Sequence, residues 1–211
     1  MVLDPLFEQL KNPNPNLRQR ARAEIVMRRD ANTIPRLMAN LEQEDMTYRR
    51  ASVKTLGLIG VDSVPSLVDS LINGKNPTIR ASCAKALAQV AVNHKEVTFP
   101  QEGIDALESG MNDPDPVVHL SSVMALGAVG VPAVDPLIKT LESTDNLAVG
   151  VAIINALGGL NDERVPQVLT KLSNDESADP YIKESATSAL SRLEMVMKYA
   201  SVNEERANKN Q

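Results

Sequence analysis

Ile25, Leu56, Leu87, Leu126, Leu157 and Leu190 fall in matching contexts along the chain, at steps of 31, 31, 39, 31 and 33 residues. Self-similarity at a near-constant period constrains a fold more than any single motif, because each unit must bury its apolar face against a copy of itself. The residue eight places earlier is Leu17, Tyr48, Ile79, Val118, Val149 and Ile182, apolar in every unit. Within "IRASCAKALAQVA" (79–91), a turn of about 100° per residue places Ile79, Cys83, Ala86, Leu87 and Val90 on one side of a helix. Their equivalents elsewhere are mostly apolar, so that side is core.

Each unit carries a second apolar run upstream: "DPLFEQL", "IPRLMANL", "VPSLVDSL", "GIDALESGM", "VDPLIKTL" and "VPQVLTKL". Proline near the start of most of these marks helix entry, where its missing N–H costs nothing. Between the runs lie "KNPNPN", "EQEDMT", "NGKNPT", "NDPDP", "STDN" and "NDESADP", all turn sequences. The unit is therefore helix, turn, helix, and the expected fold class is all-α: an α-solenoid of about six helical hairpin repeats. With no Trp, three Tyr and two Phe, the interior must be Leu, Ile, Val and Ala, and Ala84, Ala86 and Ala88 let neighbouring backbones come close. The step of 39 marks an insertion in "NHKEVTFPQEG". Residues 1–199 are expected to form one repeat domain, with 200–211 a disordered polar tail.

Position 80 recurs as Arg18, Arg49, Arg80 and His119, which reads as a structural ladder bonding turn carbonyls or acids. Cys83, in the core column, reads as a small buried hydrophobe. The opposite side of the second helices, set by positions 81 and 85, is expected to line the inner curve. There Arg50, Lys54 and Lys85 give a cationic stretch, followed by Leu120, Met124, Val151 and Asn155. Contiguous apolar surface of this kind marks a binding site unless tighter packing covers it.

Other chemistry is sparse. Two His and one Cys argue against a metal site, and the glycines of "LGLIG" and "LGAVG" end helices rather than cradle phosphate. No Ser, His and carboxylate stand at a recognisable spacing, so no catalytic residue is assigned. A net charge of −5 with few aromatics argues against a nucleic-acid partner. The chain is electrostatically two-ended, with 14 Lys/Arg against 10 Asp/Glu in 1–100 and 8 against 17 in 101–211. Neither a signal peptide nor a transmembrane segment is read from the sequence, and the lone cysteine fits a reducing cytoplasm.

The period, the entering prolines and the "D-P-x-V-R-x-x-A-x-x-A-L-G-x-φ-G" pattern resemble short HEAT-like repeats. The segments "NPNPNLRQRA", "TIPRLMANLEQEDMTYRRASVKTLGLIG", "NPTIRASCAKALAQVAVNHKEVTFPQEG" and "DPDPVVHLSSVMALGAVG" resemble the HEAT-repeat phycobilin lyases of the E/F type, over nearly the whole chain. Within that group they look most like the short Z-type members that accompany phycoerythrin lyases. The resemblance implies a phycobiliprotein assembly factor. Such a factor is a chaperone-like or auxiliary subunit of a bilin lyase that helps attach a linear tetrapyrrole to a cysteine of a phycobiliprotein subunit. It implies phycoerythrobilin or phycocyanobilin as substrate rather than resident cofactor, and a phycobiliprotein subunit and a second HEAT-repeat lyase subunit as partners. It also implies a cytoplasmic location at phycobilisomes on the thylakoid surface. The alternative is a non-catalytic HEAT-repeat scaffold, for instance in phycobilisome degradation.

Overall fold

The computed structural model describes the backbone of residues 3–209 and the side chains of residues 3–195, 198 and 199. No strand occurs among the described residues. The chain forms two compact units, Met1–Val129 and Gly130–Gln211, so the repeat span expected over 1–199 contains both.

The first unit comprises α1 (Asp4–Gln9), α2 (Pro15–Met27), α3 (Thr33–Ala39), α4 (Met46–Ile59), α5 (Val64–Asn73), α6 (Pro77–Asn93), α7 (Gln101–Gly110) and α8 (Pro116–Val129). The odd-numbered helices are the upstream runs, and the even-numbered ones carry the repeated leucines. Along the even series, α2 packs on α4, α4 on α6 and α6 on α8, while α3, α5 and α7 pack in their own row. The second unit repeats the plan with α9 (Val134–Ser143), α10 (Leu147–Leu157), α11 (Val165–Asn174) and α12 (Pro180–Lys209). There α10 and α11 both lie against α12.

One local rule starts every even helix. Asn14, Asp45, Asn76, Asp115, Asn146 and Asp179 each offer a side-chain oxygen to backbone N–H groups two or three residues on. This satisfies donors that the helix itself leaves unpaired. Proline follows at once at positions 15, 77, 116 and 180.

The repeated apolar positions are the core. Ile25, Leu56, Leu87, Leu126 and Leu157 are fully buried, as are Cys83 and its equivalents Ser52, Ser122, Ile153 and Ala186. Leu190 is only half-buried, because α12 has helices on one side alone among the described residues. Close stacking depends on small residues: a Cβ at Gly57 on α4 would stand 2.2 Å from the Gln89 Cβ on α6.

The insertion is the loop 94–100 between α6 and α7. The His94 Nε2 meets the Leu58 carbonyl at 3.2 Å, next to Gly60, whose φ of +85° turns α4 into α5. That turn also decides the nature of Met46–Asn73, which is long and apolar enough to cross a membrane by composition. It is broken at Gly60 into two separate helices, α4 and α5, and half of its apolar 18-residue window is buried in the protein. The tail expected to be disordered continues α12 as backbone helix to Lys209, while the side chains of 200–209 and all of 210–211 lie outside the described residues.

Candidate functional site

The first unit holds a groove of about 700 Å³, a size that suits a small organic ligand. Even helices build it. Arg18 and Arg22 come from α2, Arg49, Arg50 and Lys54 from α4, and Lys85 from α6, over a floor that includes Ala51, Val53 and Ala81. Pro15, Met46, Pro77 and Val117 add apolar surface at the helix entries, and Asp115 is the one carboxylate among the lining residues. The concentration of cations is selective. Residues 1–129 carry 14 Lys/Arg against 15 Asp/Glu, yet the groove takes six of one kind and one of the other.

The cations differ in how far they are committed. Arg18 donates through Nη1 to the Asn12 and Pro13 carbonyls at 2.5 and 2.9 Å. Arg49 does the same to Gln43 at 2.6 Å. Arg22 is half-buried, and its Nε has no hydrogen-bond partner among the described residues. Burial, and then the neighbouring Arg18 guanidinium, hold Arg22 below the ordinary arginine pKa. A buried donor with no acceptor costs stability, and the same guanidinium group belongs to a residue that lines the groove. Arg50, Lys54 and Lys85 are exposed and available as point charges or forks for carboxylates.

The structure thus brings Arg50, Lys54 and Lys85 to one groove, together with Ala81 of the same columns. Leu120 and Met124 sit on α8 of the same unit but outside the lining: Leu120 is half-buried, and Met124 is 73% exposed. Val151 and Asn155 lie on α10 in the other unit, where Asn155 accepts from Arg192 Nη2 at 2.8 Å. The sequence reading did not assign Arg22 or Asp115 to the site, and it placed Arg18 and Arg49 only in the ladder. The available signal for Arg22 was its spacing of four from Arg18, which puts both on one helix face.

In that ladder, Arg80 donates to the Gly74 and Lys75 carbonyls and also grips Asp113. His119 points Nδ1 at the Asp113 carbonyl at 3.3 Å. Cys83 is fully buried, and its thiol is pushed up to about 12 by that burial, which leaves no thiolate at neutral pH. Among the described residues no three His, Cys, Asp or Glu side chains gather as metal ligands.

A HEAT-repeat profile matches residues 3–88 and 104–191, and the gap between the two spans holds the insertion. "Uncharacterized phycocyanin operon protein Z" of Pseudanabaena tenuis is 50% identical over 196 residues, 93% of this chain and 97% of that protein. "Bilin biosynthesis protein CpeZ" of a Synechococcus is 33% identical over 164 residues, 75% of this chain and 88% of that one. The solved complex of CpcE and CpcF of phycocyanin lyase from Nostoc aligns over 74% of this chain and 97% of the matched chain. Its TM-score is 0.50 at 19% identity, a likeness of fold. The chain belongs to the HEAT-repeat proteins and, among them, to the family of phycocyanin operon protein Z and bilin biosynthesis protein CpeZ.

Proposed function

We propose that the chain is an assembly factor for phycobiliproteins, a chaperone-like or auxiliary subunit of a bilin lyase. Its substrate is a linear tetrapyrrole destined for a cysteine of a phycobiliprotein subunit. The observation that carries this reading is the cationic groove of the first unit. A bilin is a largely apolar conjugated chain bearing two propionates. Arg50, Lys54, Lys85 and Arg22, which also lines the groove, offer partners for the carboxylates, and the alanine and valine floor offers a surface for the rings. The family reading supports the same substrate, since one relative is named for bilin biosynthesis.

The chain's own contribution is positioning. A pigment held at a defined place has lost the translational freedom that would otherwise oppose thioether formation on a partner's thiolate. Buried Cys83 is not a covalent carrier in this scheme. The structural likeness is to a two-protein lyase complex, and a second HEAT-repeat subunit is the proposed partner, with action in the cytoplasm where phycobilisomes assemble.

Titration of the purified protein with phycocyanobilin and with phycoerythrobilin, followed by absorption, tests the reading. A bound-state spectrum with micromolar affinity is expected, together with capture of a phycobiliprotein subunit. Neither pigment nor subunit binding at tens of micromolar would overturn it. A second reading, a pigment-independent scaffold, is favoured by one observation, the exposed α8 stripe of Val117 and Met124. It predicts that Met124→Asp abolishes capture of the subunit while pigment binding stays intact.

A further inference from the structure

Asp115 stands alone as a carboxylate in a groove lined by Arg18, Arg22, Arg49, Arg50, Lys54 and Lys85. Its structural duty needs no charge. Oδ1 accepts from the Val117 and Val118 backbone N–H groups at 2.9 and 3.3 Å and so starts α8. Asn14, Asn76 and Asn146 do the same for α2, α6 and α10 with a neutral amide. Asparagine and aspartate serve about equally well at this position. Of the capping residues, only Asp115 lines the groove. The nearby guanidinium of Arg80 is committed to Asp113 through both carboxylate oxygens.

A charged carboxylate in this place has a consequence for any occupant. A ligand that is anionic throughout meets like charge at Asp115, which weakens its binding. A ligand with carboxylates at some points and N–H donors at another satisfies both the cations and Asp115, the latter through a charge-assisted hydrogen bond.

We propose that Asp115 is a specificity-determining residue of the groove, accepting pyrrole N–H groups of a linear tetrapyrrole whose propionates lie on the surrounding cations. The inference rests on the bilin reading above and adds a role that kinship does not supply. Asp115 discriminates the pigment from polyanions by its N–H groups, and it fixes which part of the pigment lies at the α8 entry.

The test is Asp115→Asn, which retains the helix cap that the neighbouring repeats use, so the thermal midpoint should move by no more than about 2 °C. Two ligands are titrated into wild type and variant: phycocyanobilin and inorganic tripolyphosphate. The expected result has opposite signs. Phycocyanobilin binds about tenfold more weakly to the variant, and tripolyphosphate binds severalfold more tightly. Tighter binding of both would show that Asp115 acts only by repulsion and would overturn the inference, as would an unchanged phycocyanobilin affinity. Failure of the wild-type protein to bind phycocyanobilin at all is a separate result. It removes the pigment from the groove and takes this inference with it.

Discussion

Arg80 and Asp113, 33 residues apart, form a two-pronged ion pair: Nε donates to one carboxylate oxygen at 2.7 Å and Nη2 to the other at 2.9 Å. The same guanidinium closes the turn before its own helix through the Gly74 and Lys75 carbonyls at 3.0 and 3.2 Å. The side chains are only 13% and 11% exposed, so the pair ties one hairpin to the next in largely dry surroundings. Replacing Arg80 by Met strands Asp113 and two carbonyls and should cost about 2–4 kcal/mol of unfolding free energy. Arg80→Lys keeps the charge, loses the fork, and should fall between wild type and Arg80→Met. Denaturant titration reads both. Equal stability of all three proteins would remove the pair from the account of repeat stacking.

Charge reversal in the groove separates function from folding. Lys54 and Lys85 are exposed, and surface substitutions of this kind change stability by about 0.5 kcal/mol or less. Lys54→Glu with Lys85→Glu should therefore leave the melting curve nearly in place while weakening phycocyanobilin binding by at least about tenfold. Pigment affinity measured by absorption titration decides it, and an unchanged affinity would move the site elsewhere.

Gly57 is a packing requirement. An alanine there gains about 1 kcal/mol of helix propensity, but its methyl group would need the space that Gln89 occupies, 2.2 Å away. Relieving that clash means moving α6, at a cost of about 1–3 kcal/mol. Gly57→Ala should be net destabilising by up to about 2 kcal/mol in chemical denaturation, whereas a mutant more stable than wild type would show the two helices free to part.

Cys83 should be chemically silent. With its thiol fully buried and its pKa raised to about 12 by that burial, iodoacetamide at pH 8 should modify it only in denaturant. Cys83→Ala should retain pigment binding and subunit capture. Rapid labelling of the folded protein, followed by mass spectrometry, would contradict this.

Acid sensitivity follows from the second unit. Asp162 lies at about 2, below its ordinary 3.8, held there first by hydrogen bonds from the Arg164 side chain and backbone. A carboxylate whose folded value is depressed gives stability that is present above the unfolded value and lost as pH falls through the folded one. The melting temperature should therefore drop between about pH 4 and pH 2. Arg164→Gln should lower the midpoint at neutral pH and flatten that acid slope, as read by circular dichroism melts across the range. Arg164 also reaches Asp135 on α9, so its loss unties two hairpins as well.

Periodicity alone determined that the chain is built of paired helices, which repeated positions are core in every unit but the last, and where an insertion interrupts the series. These properties are local: an asparagine or aspartate cap followed by proline acts within one turn, and a 3.6-residue repeat of apolar positions defines a face whatever lies opposite. The cation columns at 50, 54 and 85 were legible for the same reason. The tertiary structure decided what depends on neighbours one repeat away. Arg29 pairs with Asp62, Arg36 with Asp4, and Arg164 with Asp135. Their spacings of 33, 32 and 29 residues are no motif in sequence but become contacts once hairpins stack. Packing left Arg22 with a buried, unsatisfied Nε, gave the capping carboxylate of Asp115 a second environment, and kept Leu120 and Met124 out of the groove lining. Where charge is gathered against low-dielectric walls is a property of the assembled surface, and no linear pattern carries it.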